Sequence, residues 1–151
     1  TDKFGAYFDW LYSREGVDRK GIITNIVGNE AANGMKYNAT KAEYMSFILH
    51  LNYRFHPNWN IFAKAMYETA GIYKGHRNMA NGIELQSGNY RTTYSYIGGI
   101  EYYPFKDRNL HFFATYIGQN FHYASKAKAL GQNNYNTNRL SVGFIWKMPV
   151  F

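Results

Sequence analysis

The sequence contains no cysteine, so a disulfide scaffold, a thiolate zinc site and a cysteine nucleophile are all excluded. Proline is scarce, with 3 among 151 residues, and charged residues make up only 18%, which does not fit a disordered charged tail. Long hydrophobic runs are missing as well: no window approaches the roughly 18 consecutive apolar residues of a spanning helix. Helical membrane proteins are thereby removed. Membrane β-barrels are not, because their strands alternate and give a weak average, here a mean hydropathy of −0.49. An initiator Met and a signal peptide are also lacking, since Thr1 leads almost at once into a patterned segment, and the chain reads as processed or cut from something longer. What is abundant is aromatic: 15 Tyr and 11 Phe stand beside 14 Gly and a net charge of +7. The length holds one compact unit at most.

Residues Phe4 to Tyr12 alternate, with Phe4, Ala6, Phe8, Trp10 and Tyr12 on one parity and Gly5, Tyr7, Asp9 and Leu11 on the other, the pattern of a half-buried strand. Ser13 to Glu43 shows no lasting period and reads as a long Gly- and Asn-containing loop, with room for a hairpin extension. Alternation returns from Tyr44 to Phe55, with Met45, Phe47, Leu49, Leu51, Tyr53 and Phe55 opposite Ser46, Ile48, His50, Asn52 and Arg54. His56-Pro57-Asn58-Trp59 predicts a tight reversal, because Pro fixes φ at the second turn position and Asn tolerates the conformations of the third. A third strand is expected from Trp59 to about Thr69, a long loop from Ala70 to Thr92, and a fourth strand from Thr93 to Tyr103. The turn Pro104 to Asn109 then leads to a fifth strand, Leu110 to Gln119, which is apolar on both parities, so its facing stays open. A third long loop, Asn120 to Asn138, precedes a last strand from Arg139 to Phe151.

Long loops and short turns therefore alternate, which segregates them to opposite ends. Outer-membrane barrels do this, with short periplasmic turns and long extracellular loops, whereas a soluble sandwich has no reason to. Strands of about 10 residues at ~3.3 Å each, tilted by ~45°, span a hydrocarbon layer of ~25 Å. Six strands also put both chain ends on the short-turn side. Tyr53, Phe55 and Trp59 flank one short turn, Tyr102, Tyr103 and Phe105 the other, and Trp146 lies near the chain end on the same side, as membrane-interface aromatics would. The fold class expected is all-β: an antiparallel transmembrane β-barrel of outer-membrane type.

The segment Gly98 to Phe105, GGIEYYPF, followed by Leu110 to Tyr116, LHFFATY, resembles the penultimate hairpin of the phosphate-selective porin O and P family, especially its Bacteroidetes-type versions. Asn138 to Trp146, NRLSVGFIW, continued to a terminal Phe151, is similar to that family's last strand. The resemblance implies an outer-membrane porin of about 16 strands, of which residues 1–151 form a single unit, the C-terminal six strands, and it implies trimers. A C-terminal fragment is favoured because an open six-stranded sheet with outward aromatics would aggregate; strands hidden in Ser13 to Glu43, or pairing with other chains, are the alternatives.

With the aromatic face toward lipid, the inward parity carries His50, Asn52, Arg54, Lys64, Glu68, Arg139 and Lys147, with Asp9 and Glu101 as further acidic members. The candidate pore-lining basic residues are Arg54, Lys64, Arg139, Lys147 and His50. Basic groups lining a narrow lumen lower the barrier for anions, and phosphate can trade hydration for charge-assisted hydrogen bonds. Each residue alone is better explained by charge ladders that stabilise a lumen, or, for Arg54 and Lys147, by snorkelling, and the anion preference rests on the set taken together. The function expected is passive diffusion of small, phosphate-like anionic solutes; a structural barrel or adhesin is the alternative. A lipid-modifying barrel enzyme would have only Ser46 and His50 to offer, with no acidic third member and no G-x-S-x-G, so no enzyme is expected. His50, His56, His76, His111 and His122 lack the spacing of a zinc site, no phosphate-binding glycine motif occurs, and neither metal nor cofactor is expected. The sequon Asn38-Ala39-Thr40 has little force in a bacterial-looking barrel. The scattered Lys and Arg form no stripe for nucleic acid.

Overall fold

A computed structural model describes residues 3–14, 19–34 and 41–148. Six long strands dominate: β1 (Phe4–Arg14), β2 (Lys41–His56), β3 (Trp59–Lys74), β6 (Gly88–Tyr102), β7 (Leu110–Tyr123) and β8 (Tyr135–Trp146). A minor hairpin, β4 (His76–Arg77) with β5 (Glu84–Leu85), and the short helices α1 (Arg19–Val27), α2 (Asn29–Ala32) and α3 (Ser125–Lys128) fill the long connections. The long strands pair antiparallel in chain order, β1-β2-β3-β6-β7-β8. Among the described residues this sheet does not close: β1 bonds only to β2, and β8 only to β7.

The register keeps the two parities on separate faces across all six strands. One row runs Phe4, Tyr53, Ile61, Ile100, Ala114 and Val142, and the opposite face holds the row Tyr7, His50, Lys64, Ile97, Ile117 and Arg139. The same pairing settles β7: Phe112, Ala114 and Tyr116 share the aromatic face, while His111, Phe113 and Ile117 share the other. Along β3 the aromatic-parity residues from Trp59 to Tyr67 are exposed, whereas Asn60, Phe62, Lys64, Met66 and Glu68 are buried or half-buried. The sheet is therefore curled, with its polar parity concave, as in a barrel wall. On the convex face Trp10 is 61% exposed and Val142 73%. In water such a continuous apolar face would drive association; in a bilayer it is the face that meets lipid.

The strands outrun the alternation that announces them. β3 extends to Lys74 instead of Thr69, β6 begins at Gly88 instead of Thr93, β7 ends at Tyr123 instead of Gln119, and β8 begins at Tyr135 instead of Arg139. These four extensions lie at the long-loop end. There the ladder continues because each strand still offers its neighbour hydrogen-bond partners, but no hydrocarbon demands an apolar face. β3, with 16 residues, reaches roughly 50 Å, beyond the about 35 Å that a ~25 Å layer requires at ~45° tilt. At the other end β8 stops at Trp146. The sequon and the terminal Phe151 lie outside the described residues.

The connection from Ser13 to Glu43 is corrected by the structure: in place of a hairpin it carries α1 and α2. Ile23, Ile26 and Val27, spaced to share one helical face, are fully buried. They join Ala31 and Ala32 in a cluster with Ala42, Ala70, Ile72, Leu85, Tyr90, Tyr123 and Ala127, so three long connections and the strand ends share a single core. Gly28 separates the helices at φ 89°, a left-handed value that glycine takes without strain. The short turns are tied differently: Asn58 Nδ2 donates to the Tyr103 carbonyl at 2.7 Å and the Tyr103 amide returns a bond to the Asn58 carbonyl at 2.7 Å.

Candidate functional site

The concave face is the surface on which function would be carried, and its charges are unevenly matched. Asp9, Glu68 and Glu101 are its acidic members in the register, and each is held. Asp9 Oδ2 lies 3.2 Å from His50 Nε2. Glu68 receives the Ser46 hydroxyl at 3.2 Å and lies 3.4 Å from Arg91 Nη2. Glu101 receives Asn60 Nδ2 at 2.8 Å and the Tyr103 hydroxyl at 3.0 Å, with His111 Nε2 at 3.5 Å.

The expected basic residues divide differently. Lys64 and Arg139 stand in one row of the concave face, and among the described residues no carboxylate pairs with either. Arg54 carries the same parity to the short-turn end, where its amide donates to the Lys3 carbonyl at 2.7 Å. Lys147 follows β8 there, its amide bonded to the Asn109 carbonyl at 2.7 Å; neither side chain has an acidic partner among the described residues. His50 lies with its Nε2 3.2 Å from Asp9 Oδ2 and is stacked on Tyr7 with ring centroids 4.1 Å apart.

The residue that the sequence hid is Arg91. It fell inside the expected loop Ala70 to Thr92, yet β6 places it on the concave face opposite Ala70 and Tyr123. There it is buried, its Nη1 bonds Asn25 Oδ1 of α1, and its guanidinium lies 5.6 Å from the Phe121 ring centroid. Arg91 thus ties α1 to the wall. The cluster of Ile23, Ile26 and Val27 with Ala70 and Tyr123 confirms the side on which α1 sits: it lies over the concave face at the long-loop end and narrows it. Asn78, fully buried in the loop between β4 and β5, fastens the next turn by donating to the Ala31 and Asn33 carbonyls at 2.9 and 3.0 Å. Asn81 donates to the Glu30 carbonyl at 2.9 Å.

At the short-turn end the aromatic residues form a connected band. Tyr53 meets Phe55 at 6.4 Å between ring centroids, Phe55 meets Trp59 at 6.5 Å, and Trp59 meets Tyr102 at 4.5 Å. Phe105 and Trp146 are exposed at the same end. Tyr103 departs from the expected set: it faces the concave side, stacked on His111 at 4.8 Å with the Arg108 guanidinium 3.9 Å from its ring centroid. Burial and the bond to Glu101 raise its phenol above the ordinary 10.0. Alternation puts Tyr102 and Tyr103 on opposite faces, a fact legible in the sequence once β6 is run through to its end.

Ser46 and His50 do not meet. Four residues along one strand are roughly 13 Å, and each side chain already has an acidic partner of its own. Of the other histidines, His111 joins Glu101, His122 lies on the convex face edge-on to Tyr94 at 5.7 Å, and His56 caps the Pro57 turn by accepting the Asn58 amide at 3.1 Å. The side chain of His76 is outside the described set.

Compared with known proteins, the chain gives one family-level result. The model of a family described as phosphate-selective porin O and P matches residues 1–148. No curated protein and no solved structure matches it.

Proposed function

The chain belongs to the phosphate-selective porin O and P family, whose members are bacterial outer-membrane porins, and from that premise we propose that it forms part of a channel preferring small anions such as phosphate. One observation carries the preference: Lys64 and Arg139 stand mid-wall on the concave face, free of acidic partners among the described residues. Of the three concave carboxylates only Glu68 faces a permanent cation, Arg91, yet Arg54, Lys64, Arg139 and Lys147 still outnumber Asp9 and Glu101 on this face among the described residues, so the wall presents a net positive potential that a low-dielectric rim focuses. Arg54 and Lys147 extend that potential to the short-turn mouth. His50, engaged by Asp9, contributes less than the sequence suggests.

The helix α1 supplies a constriction. With it over the concave face, permeant ions pass close to Arg91, whose charge is balanced by Glu68, and the ions meet unbalanced cations at the Lys64 level. The band Tyr53, Phe55, Trp59 and Tyr102, with Phe105 and Trp146, anchors the wall at one bilayer interface. Among the described residues the outer edges of β1 and β8 have no strand partner, which suits a larger barrel, of about 16 strands, in which these six form the C-terminal stretch.

Reversal potentials of the full chain in planar bilayers under a salt gradient test this. Anion selectivity is expected, weakened stepwise in Lys64→Glu and Arg139→Glu. Channels that favour cations, or that keep their selectivity in both variants, would refute it.

A further inference from the structure

We propose that the cleft around Lys64 is a binding subsite for organic anions that carry a flat apolar group, and not for inorganic phosphate alone. This deepens the channel reading and rests on it for its role in transport. The cleft holds about 390 Å³, within the size range of small-molecule sites. It is lined by Gly5, Tyr7, His50, Asn52, Phe62 and Lys64, with Ile97 behind.

Two kinds of wall meet there. The polar one offers the Lys64 ammonium, which no carboxylate pairs with among the described residues. Beside it is Asn52, whose Oδ1 already accepts Asn60 Nδ2 at 2.8 Å, so its own Nδ2 is the end left to donate. An oxyanion can take both. The apolar wall is made by rings. Tyr7 stacks on His50 at 4.1 Å with planes 10° apart, and this pair of rings stands along one side of the cleft. Phe62 lies flat across Gly99, where a Cβ would come within 2.2 Å of its Cζ. Gly5 leaves the space between rings unfilled, with nothing within 4 Å of a Cβ built on it.

A fully hydrated phosphate uses only the polar wall. An anion with a planar body uses both, losing apolar surface to Tyr7 and Phe62 while its charge sits on Lys64. Aromatic stacking of this kind corresponds to about a tenfold gain in affinity.

The experiment compares phenyl phosphate, methyl phosphate, inorganic phosphate and benzyl alcohol on the full chain in detergent by equilibrium dialysis, and as blockers of single-channel current in bilayers. Phenyl phosphate is expected to bind about tenfold tighter than methyl phosphate, with benzyl alcohol weakest. Tyr7→Ala should bring phenyl phosphate toward the methyl ester, and Lys64→Gln should weaken both esters while Lys64→Arg restores them. Equal affinities for the two esters, or benzyl alcohol binding as tightly as phenyl phosphate, overturn the subsite. The wild-type comparison decides this even where a variant fails to fold. Aromatic preference in dialysis without any conductance supports the subsite and refutes the channel reading; anion-selective conductance without the preference does the reverse.

Discussion

Replacing Asn78 with alanine should loosen the helical segment over the concave face without unfolding the wall. Asn78 is fully buried, and its Nδ2 is bonded to two carbonyls, Ala31 at 2.9 Å and Asn33 at 3.0 Å. Its backbone bonds, to the Ile83 carbonyl at 2.7 Å and from the Gly82 amide at 2.8 Å, survive the change. A buried carbonyl deprived of its donor costs about 1–3 kcal/mol. The Ala31 oxygen keeps a weak second donor, Asn81 Nδ2 at 3.4 Å, but the Ala80 amide loses its acceptor, Asn78 Oδ1 at 3.1 Å, so the combined loss is about 2–4 kcal/mol. Local opening of residues 23–32 then becomes about 30- to 1,000-fold more frequent. Hydrogen exchange read by mass spectrometry on that segment measures this directly. Asn81→Ala, whose bond to Glu30 is exposed, is the comparison and should cost only about 0.5–1 kcal/mol. Single-channel current should also rise and become noisier in Asn78→Ala as α1 leaves the concave face. Exchange no faster in Asn78→Ala than in Asn81→Ala would refute the assignment of Asn78 as the fastening.

Arg91→Met leaves Glu68 charged and half-buried without its cation, at about 2–4 kcal/mol, and should reduce anion selectivity; adding Glu68→Gln should recover most of both, seen in urea midpoints and reversal potentials. Gly99→Leu should destabilise by about 1–3 kcal/mol because Phe62 occupies the space of the new Cβ, whereas Gly98→Ala, with nothing within 4 Å of its Cβ, should leave the unfolding midpoint unchanged. The Tyr103 phenol is raised in the folded chain by burial and by Glu101. Its neutral form therefore favours the fold fully below the unfolded value of 10.0, and that contribution is lost as pH rises through the higher folded value. Ultraviolet titration should count Tyr103 among the late-ionising tyrosines, and Tyr103→Phe should lower that late absorbance change by one tyrosine.

Strands were readable wherever a bilayer imposes alternation, and the register came from the same parity. Tyr53, Leu51 and Leu49 could not shift by one residue against Ile61, Ala63 and Ala65 without exchanging the two faces. The strand ends beyond the membrane were not readable, since Gly88, Asn89 and Asn136 carry no hydrophobic signal and pair only because a neighbour is present. α1 left a trace in Ile23, Ile26 and Val27, but the stripe is short, lies among Gly and Asn, and is stable only against the wall it covers. The mid-wall positions of Lys64 and Arg139 were visible from parity. That the carboxylates around them would be paired was not, because those partners come from adjacent strands: Asn60 for Glu101, and Arg91 for Glu68.

The core shared at the long-loop end couples the ways in which the cell-surface loops can diverge. Surface loops vary more than the elements they join, and independent loops can change one at a time. Here Ile26 on one connection abuts the same cluster as Leu85 on the next and Ala127 on the third, so a substitution in any one must be matched in the others. Among the described residues, variation is freer at exposed positions outside that cluster, such as Met79, which is 82% exposed, and Asn133. Sequence change in the long connections should therefore be freer at such exposed positions, while the segment packed into the shared core changes only in concert.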